Sequence, residues 1–295
     1  MSNLAEPATA ANLADAELFQ PRRGPLRRYP MVAIGALIFS VVLLLSVSAP
    51  WLATHDPQEI DPIARLRAPS AEHVLGTDAL GRDVWSRALW GGRISLLVGL
   101  AVGLLASAIG LAVGLASGYS RIADAIIMRV MDGLMSIPAI LLAIALMAVW
   151  RASILTVILA ITVVEVPRVV RLVRSVVLTL REQTYIEAAV ISGTRPGRIV
   201  RRHILPNTLA PLIVQTTYIC AAAMLIESIL SFLGAGTPPE VPSWGNIMAE
   251  GRTFFQIAPW LILSPGLLLG LTVLAVNLVG DGLRGMLDPR LARRM

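Results

Sequence analysis

The chain of 295 residues is 56% hydrophobic and 15% charged, which would leave a water-soluble protein coated in apolar surface and so excludes an ordinary soluble domain. Its 25 basic residues are all arginine, giving a net charge of +6, and they are spread over short segments between apolar runs. That distribution fits orientation against anionic lipid headgroups and excludes a nucleic-acid groove, because no basic globular domain exists to hold one.

Residues 1–29 are rich in Ala, Asn, Glu and Asp at their start and lack an apolar run, which predicts a disordered cytoplasmic tail. Arginines 22, 23, 27 and 28 lead into the uncharged stretch 31–52, longer than the apolar core of a signal peptide, so residues 30–53 are predicted to stay as a first transmembrane helix. An outer loop with a short helix follows over 54–93. Its alternating Gly and Asp residues predict folded turns, and Asp83 suits the amino end of a helix. Against the roughly 20 apolar residues that a span requires, further spans are predicted over 94–120, 133–150, 152–170, 208–226 and 253–280. The fold class is therefore all-α, a polytopic membrane protein with six transmembrane helices. The third and fourth join in a tight turn at Trp150 and Arg151, residues 94–284 form a five-helix core, and 285–295 form a cytoplasmic tail.

Placing the N-terminus inside puts 18 of the 25 arginines on the cytoplasmic side, as the positive-inside rule requires. Charges within spans are few and each costs about 2.5–3.5 kcal/mol at a helix centre, so each needs a reason. Glu165 and Arg168, and likewise Arg129 and Asp132, are spaced for local ion pairs. Glu227 has no basic residue within one turn, and Ser228 and Ser231 stand beside it on the same helix. Pro138, Pro167 and Pro265 predict kinks. Gly99, Gly103, Gly110 and Gly114 give one span small faces for close helix packing. The single Cys220 has no disulfide partner within the chain and reads as a small packing residue.

Residues 180–207 are polar and Arg-rich between two apolar runs. Gly193 is placed to end one short helix in a left-handed turn, Thr194 to cap the next, and Pro196 to occupy its first turn. The second helix is predicted to run to about His203 and to stop before Pro206. Two short helices around a glycine corner result, either a socket for another protein or a loop that only orients its neighbours. Nucleotide chemistry is absent from the chain itself, since a P-loop needs a lysine. No His-Glu-x-x-His occurs, neither Gly280-Asp281 nor Gly193 sits in an intramembrane protease motif, and His55, His73 and His203 are too scattered in sequence for a metal site.

The spacing Glu187-Ala188-Ala189, three residues, Gly193, nine residues, then His203-Ile204-Leu205-Pro206 resembles the signature loop of permease subunits of bacterial ABC importers. His203 stands where the general pattern has isoleucine, which points to the peptide-importer branch. Leu75-Gly76-Thr77-Asp78, with Arg82, Asp83 and Arg87 following, is similar to the second permease of dipeptide and oligopeptide systems. So are the segment from Ser231 to Trp244 and Gly245, and the terminal block around Asp281; together they cover about residues 30–291.

The resemblance implies a type I importer permease fold in the bacterial cytoplasmic membrane, with both termini cytoplasmic. It also implies a homologous second permease making a heterodimer, two ABC ATPase subunits carrying ATP and Mg, and an external solute-binding protein; the chain itself would bind no cofactor or metal and catalyse nothing. On this reading Glu187, Ala188, Ala189, Gly193, Arg195, Leu205 and Pro206 couple to the ATPases, and Glu227 with Ser228 and Ser231 either lines the solute path or gate, or pairs with a partner subunit. Asp78, Arg82, Asp83 and Trp244 are candidates for docking on the outer side. The solute is a peptide, or in related systems nickel, glutathione or a cationic peptide; an ion-coupled secondary carrier is the reading from another class.

Overall fold

A computed structural model of the chain describes residues 30–149 and 152–287. The N-terminal tail, the turn at Trp150 and Arg151, and residues 288–295 lie outside the described residues. Among the described residues there is no strand, only an isolated bridge between Thr77 and Asp83. The helices in chain order are α1 (Pro30–Val47), α2 (Ala49–Leu52), α3 (Val84–Tyr119), α4 (Arg121–Met135), α5 (Ala139–Val149) and α6 (Ile154–Arg181). They continue as α7 (Thr184–Ile191), α8 (Pro196–Ile199), α9 (Leu205–Phe232), α10 (Trp244–Gly251) and α11 (Trp260–Leu287).

Four helical segments are long and apolar enough to cross a membrane: α1, α3, the run Pro196–Phe232 and α11. The pair α4 and α5 would make a fifth, but its axes bend by 93°. The break falls at Ser136, Ile137 and Pro138, so Pro138 separates two helices, and the predicted span over 133–150 starts in the last turn of α4. Helix α4 carries Arg121, Asp124, Arg129 and Asp132 in 15 residues, too many charges for a segment in hydrocarbon. Helix α6 has 28 residues, and its charges Glu165, Arg168 and Arg171 keep it from the same apolar standard.

Several boundaries move for local reasons. The first predicted span divides at Ser48, where Pro50 takes the opening turn of α2. Helix α3 begins ten residues before the predicted span, because the Asp83 carboxylate accepts a hydrogen bond from the Ser86 N–H and starts the helix there. At 36 residues α3 is about 54 Å long, well beyond a hydrocarbon core of about 30 Å. Helix α6 opens on a reciprocal cap, with the Ser153 and Thr156 side chains each accepting from the other's backbone N–H. Helix α11 begins at Trp260 and continues to Leu287, into the stretch expected to be tail. Pro167 and Pro265 lie inside α6 and α11, as expected, and Pro211 inside α9.

Helix α3 is the spine. Its most extensive contact is with α6, where a Cβ on Gly110, Gly114 or Gly118 would fall 2.4, 2.7 and 2.6 Å from the Cβ of Val169, Val173 and Val177. On another face Gly99 and Gly103 meet α9 at Met224 and Cys220, which confirms Cys220 as a packing residue. Between apolar helices in lipid, burial from water supplies little drive, so this interlocking of small against β-branched residues provides the attraction. Helices α1 and α11 pack by the same device, Gly35 against Leu278 and Gly282 against Val32. Large side chains on the outside, among them Leu37, Leu44, Leu100, Leu104 and Leu267, are more than half exposed, which suits lipid contact.

Candidate functional site

Beyond α6 the chain builds the knob that the sequence outlined. Helix α7 ends at Ile191, and Gly193 takes φ +73°. The Thr194 N–H donates to the Ala189 carbonyl at 3.0 Å and the Gly193 N–H to that of Val190 at 3.0 Å, the paired bonds of a Schellman cap. A Cβ built on Gly193 meets nothing within 4 Å, so the corner is open on its outer side. Thr194 is not the cap of the next helix; Arg195 holds that position, without a side-chain hydrogen bond, and Pro196 fills the first turn as predicted.

The second helix does not stop before Pro206. Residues Val200–Ile204 widen into a π-turn, the Leu205 N–H reaching back to the Val200 carbonyl, and α9 follows without interruption. The wider turn accommodates a proline, which has no N–H to give and would otherwise crowd a carbonyl of the preceding turn. As a result the second helix of the knob and α9 form one continuous run, Pro196–Phe232.

Ile186, Ile199 and Ile204 anchor the knob in the main apolar core, at 3%, 2% and 0% exposure. Glu187, Ala188, Gly193, Arg195 and Pro206 are exposed, while Ala189 and Leu205 are half-buried. Sequence reasoning missed the apolar contribution to this face: Ile191 is 86% exposed, and Val190 and Tyr185 stand beside it. A cavity of about 520 Å³ lined by Tyr119, Arg181, Ile186, Glu187, Val190 and Ile191 opens there. Arg181 ties its wall to the end of α3, donating to the Gly118 carbonyl at 2.9 Å over the Tyr119 ring.

The link from α4 to α6 is ionic. Asp124 accepts from Arg174 Nη2 at 2.7 Å and also from Arg174 Nε, and Ser117 Oγ donates to it at 2.6 Å. The Arg174 guanidinium, with Ser117 assisting, holds the Asp124 carboxyl below the usual carboxylate range. Asp132 pairs across helices with Arg171 at 2.5 Å, not with Arg129 as spacing suggested. Glu165 does pair with Arg168, at 3.0 Å.

At the other end of α3 the four docking candidates are enclosed: Asp78, Arg82, Asp83 and Trp244 are at most 9% exposed. Their side chains therefore meet the chain's own interior and present no outer surface. Asp78 accepts from Arg82 Nε at 2.6 Å, from Arg87 and from the backbone of Leu80 and Arg82. Glu250, which the sequence did not single out, completes the network by accepting from Arg82 Nη2 at 2.6 Å and from both Arg87 terminal nitrogens. Two arginines balance two carboxylates, the condition for holding charge out of water. Among the large apolar side chains of the outer segment, Ile60, Ile63, Val74 and Leu80 are exposed.

Glu227 is fully buried between α3, α9 and α10. Ser231 donates to it at 2.9 Å, Ser228 at 3.4 Å and Ser95, from α3, at 3.5 Å. The Trp244 N–H donates to that same Ser95 hydroxyl, and its indole N–H to the Ala88 carbonyl at 3.0 Å. The fold thus gathers Glu227, Ser228 and Ser231 as expected, and adds Ser95.

The comparisons with known proteins agree with this architecture. Residues 86–293 match the family described as "Binding-protein-dependent transport system inner membrane component". A Sinorhizobium fredii protein named "Probable peptide ABC transporter permease protein y4tQ" is 56% identical over 91% of this chain and 92% of its own length. The dipeptide transport system permease protein DppC of Alkalihalophilus pseudofirmus is 42% identical over 90% of this chain and 88% of its own. A chain of the MetNI methionine ABC transporter, in an inward-facing conformation, superposes with a TM-score of 0.58 at 21% identity, covering 70% of this chain and 97% of that one, which bears on the fold alone. A helical bundle with a capped knob between its helices, matched over most of its length by these relatives, places the chain in the family of binding-protein-dependent transport system inner membrane components, the permeases of ABC importers.

Proposed function

We propose that the chain is one half of a heterodimeric permease that admits peptides, driven by two ATPase subunits that grip the knob. The observation that carries the proposal is the Gly193 corner: a capped, outward-open turn flanked by Glu187 and the exposed Ile191, continuous through the π-turn with α9. Closure of the ATPases moves the knob, and the continuous helix carries that motion to the Glu227 cluster, where α9 meets α3 and α10. Glu227, Ser228 and Ser231 serve there as a gate. Six crossings, with α6 as one of them, and both termini in the cytoplasm complete this arrangement; an external binding protein meets the exposed outer residues around Ile60 and Ile63. Support for a peptide solute comes from the names of the relatives.

The test is Gly193→Asp in the reconstituted complex. The variant should insert normally and lose solute-stimulated ATP turnover; retained stimulation overturns the coupling role. Peptide, Ni²⁺ and glutathione tested in parallel with the external binding protein decide the solute.

A further inference from the structure

His55 and His73 are 18 residues apart in sequence, and the fold stacks their rings with centroids 4.8 Å apart. Asp83 joins them: one ligand atom from each of His55, His73 and Asp83 lies within 4.8 Å of the others. We propose that these three side chains form a binding site for a divalent transition metal of the Zn²⁺ class.

The division of labour on Asp83 supports this. Its Oδ2 is committed to the Ser86 N–H at 2.8 Å, the helix start, and takes a weaker bond from the Thr54 hydroxyl at 3.3 Å. Its Oδ1 faces His73 Nδ1 at 3.0 Å. The neighbouring cations do not compete, since Arg82 and Arg87 are both directed to Asp78 and Glu250. Two imidazole nitrogens and one carboxylate oxygen are donors that suit Zn²⁺, and also Ni²⁺ and Cu²⁺, better than Mg²⁺ or Ca²⁺.

Distances favour closure around an ion. Ligands at about 2.0–2.2 Å from a tetrahedral metal stand roughly 3.3–3.6 Å from one another. The His73–Asp83 separation is already near that value, and both residues are buried, so this half of the site is preset. His55, whose ligand atom lies within 4.8 Å of the other two, must draw in by up to about 1.5 Å. Its ring is half-buried, with Nδ1 against the Thr54 hydroxyl at 3.0 Å, and it lines a cavity of about 460 Å³ together with Asp56, Gln58 and Trp90. That cavity gives the ion a way in and leaves the fourth coordination position to water or to a ligand from outside. A bound ion would fasten the end of α2, the middle of the outer segment and the start of α3 to one point.

The test is zinc titration of the full-length protein in detergent, stripped of metal and purified on a tag without histidine, followed by calorimetry and by thermal unfolding. One Zn²⁺ per chain is expected, raising the unfolding temperature, with affinity roughly tenfold or more weaker in His55→Ala and in His73→Gln. His203→Ala, in the knob, should bind as the wild type does. Should His73→Gln fail to fold, His55→Ala decides alone, because its removal leaves the Asp83–Ser86 cap in place. Absence of saturable zinc binding, or equal affinity in His55→Ala and wild type, would overturn the proposal and leave His73–Asp83 as a brace for the helix start.

Discussion

Arg87 and Glu250, 163 residues apart, face each other as a forked pair: Nη1 donates to Oε2 at 2.6 Å and Nη2 to Oε1 at 2.9 Å. The Arg87 side chain is 1% exposed, so the charge that fastens the start of α3 to α10 has almost no water to fall back on. Arg87→Ala should therefore lower stability by about 3 kcal/mol, since it leaves two carboxylates, Asp78 and Glu250, to share Arg82 alone. Glu250→Gln should cost less, because Glu250 keeps a quarter of its surface in solvent and Asp78 still balances Arg87. Thermal unfolding in detergent ranks the two, and a wild-type midpoint for Arg87→Ala would refute the role.

The Gly114–Val173 contact sets how closely α3 and α6 approach. A Cβ on Gly114 falls 2.7 Å from Val173 Cβ and 3.0 Å from the Val170 carbonyl oxygen, which is backbone and cannot rotate away. Gly114→Ala should cost about 1–3 kcal/mol through overpacking. Val173→Ala introduced in the same chain removes Cγ1, which lies 2.9 Å from the added Cβ, and should recover part of that loss, giving a double-mutant cost below the sum of the singles. Strict additivity, read from the unfolding midpoints, would show that the two positions do not share the contact.

Asp124 provides a pH signature on the α4–α6 link. Its carboxyl is held below its unfolded value by Arg174, so its stabilisation is fully present above about pH 4 and is lost as pH falls through the lowered folded value. Both partners are partly exposed, at 24% and 31%, so the pair is worth about 0.5–1 kcal/mol. Asp124→Asn should destabilise the protein by that amount at pH 7, and the gap to wild type should narrow below about pH 4. A gap independent of pH would assign the loss to packing.

Glu227→Gln keeps the shape of the side chain and a hydrogen-bonding group toward Ser95, Ser228 and Ser231. The unfolding temperature should stay close to wild type while solute uptake in reconstituted vesicles falls several-fold. Unchanged uptake would remove Glu227 from the gate and leave it a structural link between α9 and α3.

The places where sequence reasoning fell short share a physical cause. The stop predicted before Pro206 follows the rule for an α-helix; a π-turn evades that rule, and no residue pattern here announces one. Asp132 reaches Arg171 because α4 packs beside α6, and spacing along a single helix cannot register a neighbour 39 residues away. The resemblance puts the docking quartet on the outer side, in segments that lie outside the predicted spans. Glu250 reverses that by giving the arginines a partner inside.

By itself the sequence determined what depends on neighbours along the chain or on bulk composition. Its apolar runs made it a helical membrane protein, its Asp83 and Gly193 marked a helix start and a helix end, and its glycines at i and i+4 marked a packing face. Only the tertiary structure decided which groups meet: Gly114 with Val173, Arg87 with Glu250, His55 with His73 and Asp83. Caps and turns are closed by groups a few residues away and so are written locally. Buried charges and paired histidines take partners from distant segments, and those separations are fixed only when the helices pack.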